Sequence, residues 1–446
     1  MKLLPRTKEQ LGTLWFGLLC AVVASLGMAA LRIPVSQLSI GLTEVLFFPL
    51  GLSIGAAVFT GNLKIKWSPI YFPVMAYLVA GAASATFSGS PGRSLLHVTG
   101  EIYLALLCAF TATIGIDQAR IKQLIFFWFV GCTFSIILGL LTIGLYYTSP
   151  EHSLLQRLTS HTGAVPITSV PRITAGFASA SMYFNYLSVG AILLVVAKSN
   201  RWINGPLFQL LIAGVVVVAV CTFSIGLGSV FVIMAVLALW LRNGAGTGAM
   251  KAFRLLCSSA AVAWLLLAFI ALSPYPEAPF SINIPSVGIT VLPSVRYLVW
   301  TESVQTFINN FWLGVGPANP VARVIFTNTD GTRSLLTDAH NTFLNVAAER
   351  GVFGLFALII TCWLVIGRGW RILQIRGRTG EAVNLAFGLV LAFAVAFVYQ
   401  GLLGSFEDAK HLWVLLGMII ASEQITGTTE TIRADQLESQ RANQAL

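Results

Sequence analysis

Charge is scarce in this chain. Only 10% of its 446 residues are Asp, Glu, Lys or Arg, against roughly 25% in an ordinary soluble domain. That shortage excludes a soluble cytoplasmic enzyme, a disordered chain and a nucleic-acid binder, the last despite a formal net charge of +10. Cysteine is sparse too. Cys20, Cys108, Cys132, Cys221, Cys257 and Cys362 each lie within or beside an apolar run, without zinc or redox spacing. They read as inert buried thiols, with no disulfide framework. The five histidines form no HExxH pattern, no DxD appears, and Gly226-Leu-Gly228 has neither the strand nor the lysine of a nucleotide loop. Neither a metal nor another cofactor is expected.

What the chain has is apolar length: 56% of residues are hydrophobic and mean hydropathy is +0.82. A bilayer core takes about 20 apolar residues per helix. Such runs lie near 12–31, 38–58, 69–87, 98–116, 123–147, 177–197, 205–222, 227–242, 252–272, 351–367, 383–403 and 409–423. The expected fold is an all-α polytopic membrane protein of about twelve spans. The first run is too long, and lacks the small-residue cleavage site, for a signal peptide. With the N-terminus in the cytoplasm, most Lys and Arg fall inside, and the short outer loops keep only Arg32, Arg93 and Lys410. Both termini are then cytoplasmic. The expected divisions are spans over 1–272, an outer loop over 273–350, spans over 351–423 and a tail over 424–446.

Two outer segments are long, about 148–176 and 273–350. A loop of the second length is uncommon unless it works. Its Pro274–Pro293 part reads as irregular. From Pro293 an amphipathic helix opens, with Val295, Leu298, Val299 and Phe307 at helical spacing, and it ends near Asn309-Asn310. Residues 318–336 read as loop, with Asn328, Asp330 and Gly331 as turn formers. Asp338 then reads as the N-cap of a helix over 339–350.

Ionisable groups at membrane depth are costly, so the outward charges are the functional candidates. Arg172, Arg296, Arg323, Arg333 and Arg350 suit a phosphate or diphosphate, because guanidinium binds such oxygens at two points. Anchoring helices at lipid headgroups is the competing role. At the start of a capped helix, His340 is held neutral by the positive helix end and is suited to act as a general base. A structural histidine is the alternative. Arg93, His97 and Glu101, four residues apart, share a helix face as a cavity wall or a buried pair.

Arg296-Tyr-Leu-Val-Trp300, Phe311-Trp-Leu-Gly-Val-Gly-Pro317, Ala339-His-Asn-Thr-Phe-Leu344 and Ala348-Glu-Arg-Gly351 together resemble the signature of the O-antigen ligase and polymerase superfamily. Arg172-Ile-Thr-Ala-Gly176 resembles that family's arginine-then-glycine entry to the sixth span, and the layout of spans with one long periplasmic loop is similar. One departure stands out: Ser224-Ile-Gly226 replaces a Ser-Arg-Gly, which removes a cation there.

The resemblance implies a GT-C-like membrane glycosyltransferase of the bacterial inner membrane. It implies an undecaprenyl-diphosphate-linked glycan as donor and membrane lipids as surroundings. A ligase passes the glycan to a sugar hydroxyl of lipid A–core, a polymerase to another lipid-linked repeat, and a protein O-oligosaccharyltransferase to Ser or Thr. Modest length and a single very long loop point to the ligase. Implied roles are His340 as base and Arg172 and Arg296 on the diphosphate. Asn341, Asp338, Glu349, Arg323, Arg333, Arg93 and Glu101 are supporting candidates. A transporter fits the span count but calls for repeat symmetry that the sequence lacks.

Overall fold

A computed structural model describes residues 5–35, 38–115, 117–159, 172–222, 282–284, 289–291, 295–327, 333–374, 380–403 and 409–423, with scattered positions between 232 and 255. The eighth and ninth expected spans, most of the Pro274–Pro293 stretch and the 424–446 tail lie outside the described residues.

The chain is mostly helical. In chain order the helices are α1 (Pro5–Ser25), α2 (Leu42–Phe59), α3 (Tyr71–Thr86), α4 (Pro91–Ile114), α5 (Gln118–Thr148), α6 (Leu155–Leu158), α7 (Ala180–Ser199), α8 (Gly205–Cys221), α9 (Val295–Asn309), α10 (Thr342–Gln374) and α11 (Glu381–Leu403). A last helix, α12, covers 410–423. Each expected apolar run outside 227–272 coincides with one of these. Among the described residues, six helices are long and apolar enough to cross a membrane. Outward faces agree: Phe48 and Leu52 of α2 and Phe356 and Trp363 of α10 are all more than half exposed, as are Phe72 and Val79 of the shorter α3. Water would not tolerate so continuous an apolar surface, whereas lipid does.

The core runs along α7, α11 and α12, where Tyr186, Leu187, Leu193, Phe387, Phe393, Leu415 and Met418 are buried. The amphipathic helix is found as expected: α9 buries Val299 against Val321, Val324 and Ala348.

Short strands interrupt the all-α expectation. Arg32–Val35 pairs antiparallel with Leu38–Gly41, Ile282–Ile284 with Ile289–Val291, and Val324–Thr327 with Arg333–Leu336. The second ribbon lies within the stretch read as irregular. The third replaces the expected loop over 318–336. Its Val-Ile-Phe-Thr run is β-branched and aromatic, and it turns Val324 inward and Ile325 outward, as a half-buried strand does.

The second correction concerns the start of α10. Asp338 does not cap it. Residues 338–341 form a turn, and the helix begins at Thr342 under Asn341, whose Oδ1 accepts from the N–H groups of Phe343 (3.1 Å) and Leu344 (3.2 Å). His340 takes φ +46°, a left-handed conformation that cannot continue a helix, so capping passes to the next Asx residue. His340 therefore precedes the helix rather than standing in its first turn.

Candidate active site

The Phe311–Pro317 and Ala348–Gly351 motifs turn out to hold each other. Val315 N–H donates to the Ala348 carbonyl, Gly316 N–H to that of Glu349 and Val352 N–H to that of Phe311, at 2.9, 2.9 and 2.8 Å. The two segments meet backbone to backbone. A methyl on Gly314 would overlap the Glu349 main chain, and one on Gly351 would overlap the carbonyl of Trp312. Gly351 has φ 64° and ψ −163°, a region open only to glycine, and it breaks α10 into a short helix ending at Arg350 and a long membrane helix. This clasp fixes the short helix, and with it the turn at 338–341, onto the bundle.

That turn is fastened at each residue. Ala339 O accepts from Trp300 Nε1 of α9 at 2.9 Å, and Ala339 N–H donates to Asn345 Oδ1 at 2.7 Å. Asp338 Oδ1 accepts from the backbone N–H of His340 and lies 2.6 Å from His340 Nδ1. An Nδ1–H bonded to this carboxylate leaves Nε2 as the basic nitrogen. His340 is 42% exposed, so a substrate can reach it. Asn341 is buried, and its Nδ2 has no partner among the described residues.

Arg172 and Arg296 stand on different elements, each within electrostatic reach of Tyr399 in α11. Arg172 stands in the turn before α7 and donates Nε to the Thr222 carbonyl at 3.2 Å. That turn is pinned by Ile173 N–H to Cys221 O and Thr174 N–H to Leu158 O. Arg296 is in the first turn of α9. Both are only partly exposed. Burial pushes the pKa of both guanidinium groups down, because the desolvated cation is costly, and the Tyr399 phenol opposes the shift in both. Asp338 opposes it for Arg296 as well. Tyr399 is therefore within electrostatic reach of both Arg172 and Arg296, and Asp338, which holds His340, within reach of Arg296. Partly desolvated guanidinium groups such as these favour a bound anion. A phosphate or diphosphate suits that arrangement, and an imidazole with a free Nε2 beside it can take a proton.

The remaining candidates do other things. Arg350, which flanks His340 in sequence, is buried and pairs with Glu101 through Nη1 to Oε2 at 2.8 Å and through a second contact from Nη2. Glu101 is thus the structural partner of Arg350. His97 Nε2 lies 3.9 Å from it, whereas Arg93 is exposed at the start of α4. Glu349 accepts from Ala318 N–H at 3.2 Å and belongs to the clasp. Arg323 and Arg333 are exposed on the ribbon. Tyr399 went unnoticed in the sequence, where its only signal was a Tyr-Gln pair inside an apolar run. Among the described residues, no three His, Cys, Asp or Glu side chains gather as metal ligands do.

Compared with known proteins, the chain matches no family model and no curated sequence.

Proposed function

We propose that this chain is a membrane glycosyltransferase of the O-antigen ligase and polymerase superfamily. In this reading it moves a glycan from undecaprenyl diphosphate to a sugar hydroxyl of lipid A–core on the periplasmic side of the bacterial inner membrane. The observation that carries the reading is the Asp338–His340 pair, 2.6 Å apart, with the part-buried Arg296 within electrostatic reach of Asp338, and with Tyr399 within reach of both Arg296 and Arg172. The motif resemblance supplies the donor and acceptor. A GT-C-like layout of about twelve spans with both termini in the cytoplasm goes with it.

The chemistry is a single displacement. The acceptor oxygen attacks the anomeric carbon, and its proton passes to His340 Nε2. The bond from that carbon to the diphosphate oxygen breaks with both electrons going to the diphosphate, so the anomeric configuration inverts. Arg172 and Arg296 hold the departing negative charge, the service a metal ion performs in other transferases. Asp338 keeps the imidazole in the useful tautomer and steadies the imidazolium that forms. A donor already anchored in lipid explains why the site stands at the end of a helical bundle.

The test uses purified protein with undecaprenyl-diphosphate glycan and three acceptors in parallel: rough lipopolysaccharide, a pilin, and further donor. Extension of rough lipopolysaccharide is expected. Extension of the donor alone would make the protein a polymerase, and glycosylation of the pilin an oligosaccharyltransferase. No extension of any acceptor would overturn the reading.

A further inference from the structure

The turn that carries Arg172 also contributes to a separate cavity. Phe177 and Ala178 line a space of about 340 Å³ between the ends of α1, α2, α7 and α12, and Arg172 is not among its walls. This space is polar. Arg32, Glu44, Lys410 and His411 face it.

Each of these four is held in a way that leaves capacity for a ligand. Arg32 donates Nε to the Ala29 carbonyl at 3.0 Å and Nη2 to the Gly176 carbonyl at 3.4 Å, using two of its five N–H groups. Lys410 pairs with Glu44 Oε1, so that carboxylate is neutralised on one oxygen. Its other oxygen, Oε2, is buried and has no partner among the described residues. His411 is only 3% exposed, and its ring meets Tyr186 edge-on at 5.9 Å. Its Nε2 likewise has no partner among the described residues. A polar atom withdrawn from water and left unbonded costs its full desolvation, so such atoms commonly mark a place where something binds.

The charges define the ligand. Lys410 and His411 open α12, whose first N–H groups and positive dipole end favour an anion. With Arg32, the cavity lining offers a guanidinium, an imidazole and a helix start. Beside Lys410 it offers an acceptor unpartnered among the described residues, Glu44 Oε2, suited to a hydroxyl. The volume is several times that of a bare oxyanion. We propose that this cavity is a second ligand site, which takes a phosphate ester bearing free hydroxyls. Arg32, the start of α12 and His411 in its Nε2–H form hold the phosphate, and Glu44 accepts from a hydroxyl. A glycerophosphate lipid headgroup and a sugar phosphate share this chemistry. The site is independent of glycosyl transfer.

Isothermal titration of the purified full chain in neutral detergent tests it, with dihexanoyl phosphatidylglycerol, glucose 1-phosphate and dihexanoyl phosphatidylcholine as probes. An Arg172→Gln/Arg296→Gln variant removes the neighbouring anion cluster. In that variant, saturable binding of one of the first two probes is expected. Arg32→Gln or His411→Phe should weaken it by about ten-fold or more. Ala178→Trp, at an exposed wall position, should abolish it with no change of charge. Binding of phosphatidylglycerol alone assigns a lipid headgroup, and binding of glucose 1-phosphate alone a sugar phosphate. Either supports the site. If the double variant does not fold, loss of one class of sites on introducing Ala178→Trp into the otherwise unchanged chain decides the matter. The proposal is overturned by an absence of saturable binding, by phosphatidylcholine binding as tightly, or by binding that survives both Arg32→Gln and Ala178→Trp. No arm reads transfer, so either idea can fail without the other.

Discussion

Arg350 and Glu101, 249 positions apart, meet inside the bundle with their side chains 0% and 2% exposed. The guanidinium also lies over the Tyr77 ring, 4.1 Å from its centre, and Tyr77 donates its hydroxyl to Glu101 at 3.2 Å. This pair ties α4 to the short helix behind the candidate site. Removing one partner strands a buried charge, at a cost of about 3–5 kcal/mol. Arg350→Met or Glu101→Leu alone should lower the thermal midpoint of the detergent-solubilised protein sharply. The double variant Glu101→Leu/Arg350→Met should recover most of that loss. A double variant no better than the singles would mean that the pair does more than neutralise itself.

Gly351→Ala should be worse than its size suggests. The position combines φ 64° and ψ −163° with contact against the Trp312 carbonyl. Backbone strain alone costs about 1–3 kcal/mol. Proteolysis within 295–350 should accelerate and transfer should fall. Gly367→Ala, in the same helix with open space around it, is the control and should be neutral or slightly stabilising.

His340→Ala should leave donor binding intact and cut turnover by about 10² to 10⁴, the usual worth of a general base. Asp338→Asn should cost less, since the amide still positions the ring but cannot balance an imidazolium. Single-turnover measurements against donor affinity separate the two effects. A His340→Ala protein defective only in donor binding would make the imidazole a phosphate contact.

Arg172→Lys and Arg296→Lys should each weaken donor binding by about ten-fold or more, because an ammonium keeps the charge and loses the planar two-point contact. Equilibrium binding of a donor analogue reads this directly. Transfer should also survive EDTA. Loss of activity with chelator and its return with Mg²⁺ would replace the arginine account by a metal one.

Much of the fold was legible because apolar runs of span length have few other uses, and α2, α5, α7 and α11 fall where those runs lie. The short strands were not, because four residues such as Arg333–Leu336 carry no period that a loop lacks. At the site, the residues were legible but their local geometry was not. Asp338 and Asn341 are both good caps, and only the left-handed backbone at His340 decides between them. That decision changes the physics of His340, from an imidazole governed by a helix dipole to one governed by a carboxylate 2.6 Å away. Tyr399 and the Glu101–Arg350 pair depend on contacts across most of the chain, which spacing along the sequence cannot reveal.

The Gly314 and Gly351 segments touch through main-chain atoms, so the joint between the short helix that follows His340 and the Phe311–Pro317 segment is made by backbone, with the side chains of Trp300, Asn345 and Glu349 fastening it further. Exposed residues such as Ile325 and Leu335 take no part in these bonds. The chain separates a backbone-built joint from an exposed facade. If the chain transfers glycans as proposed, a change of acceptor would call for new side chains on that facade and leave the backbone joint where it stands.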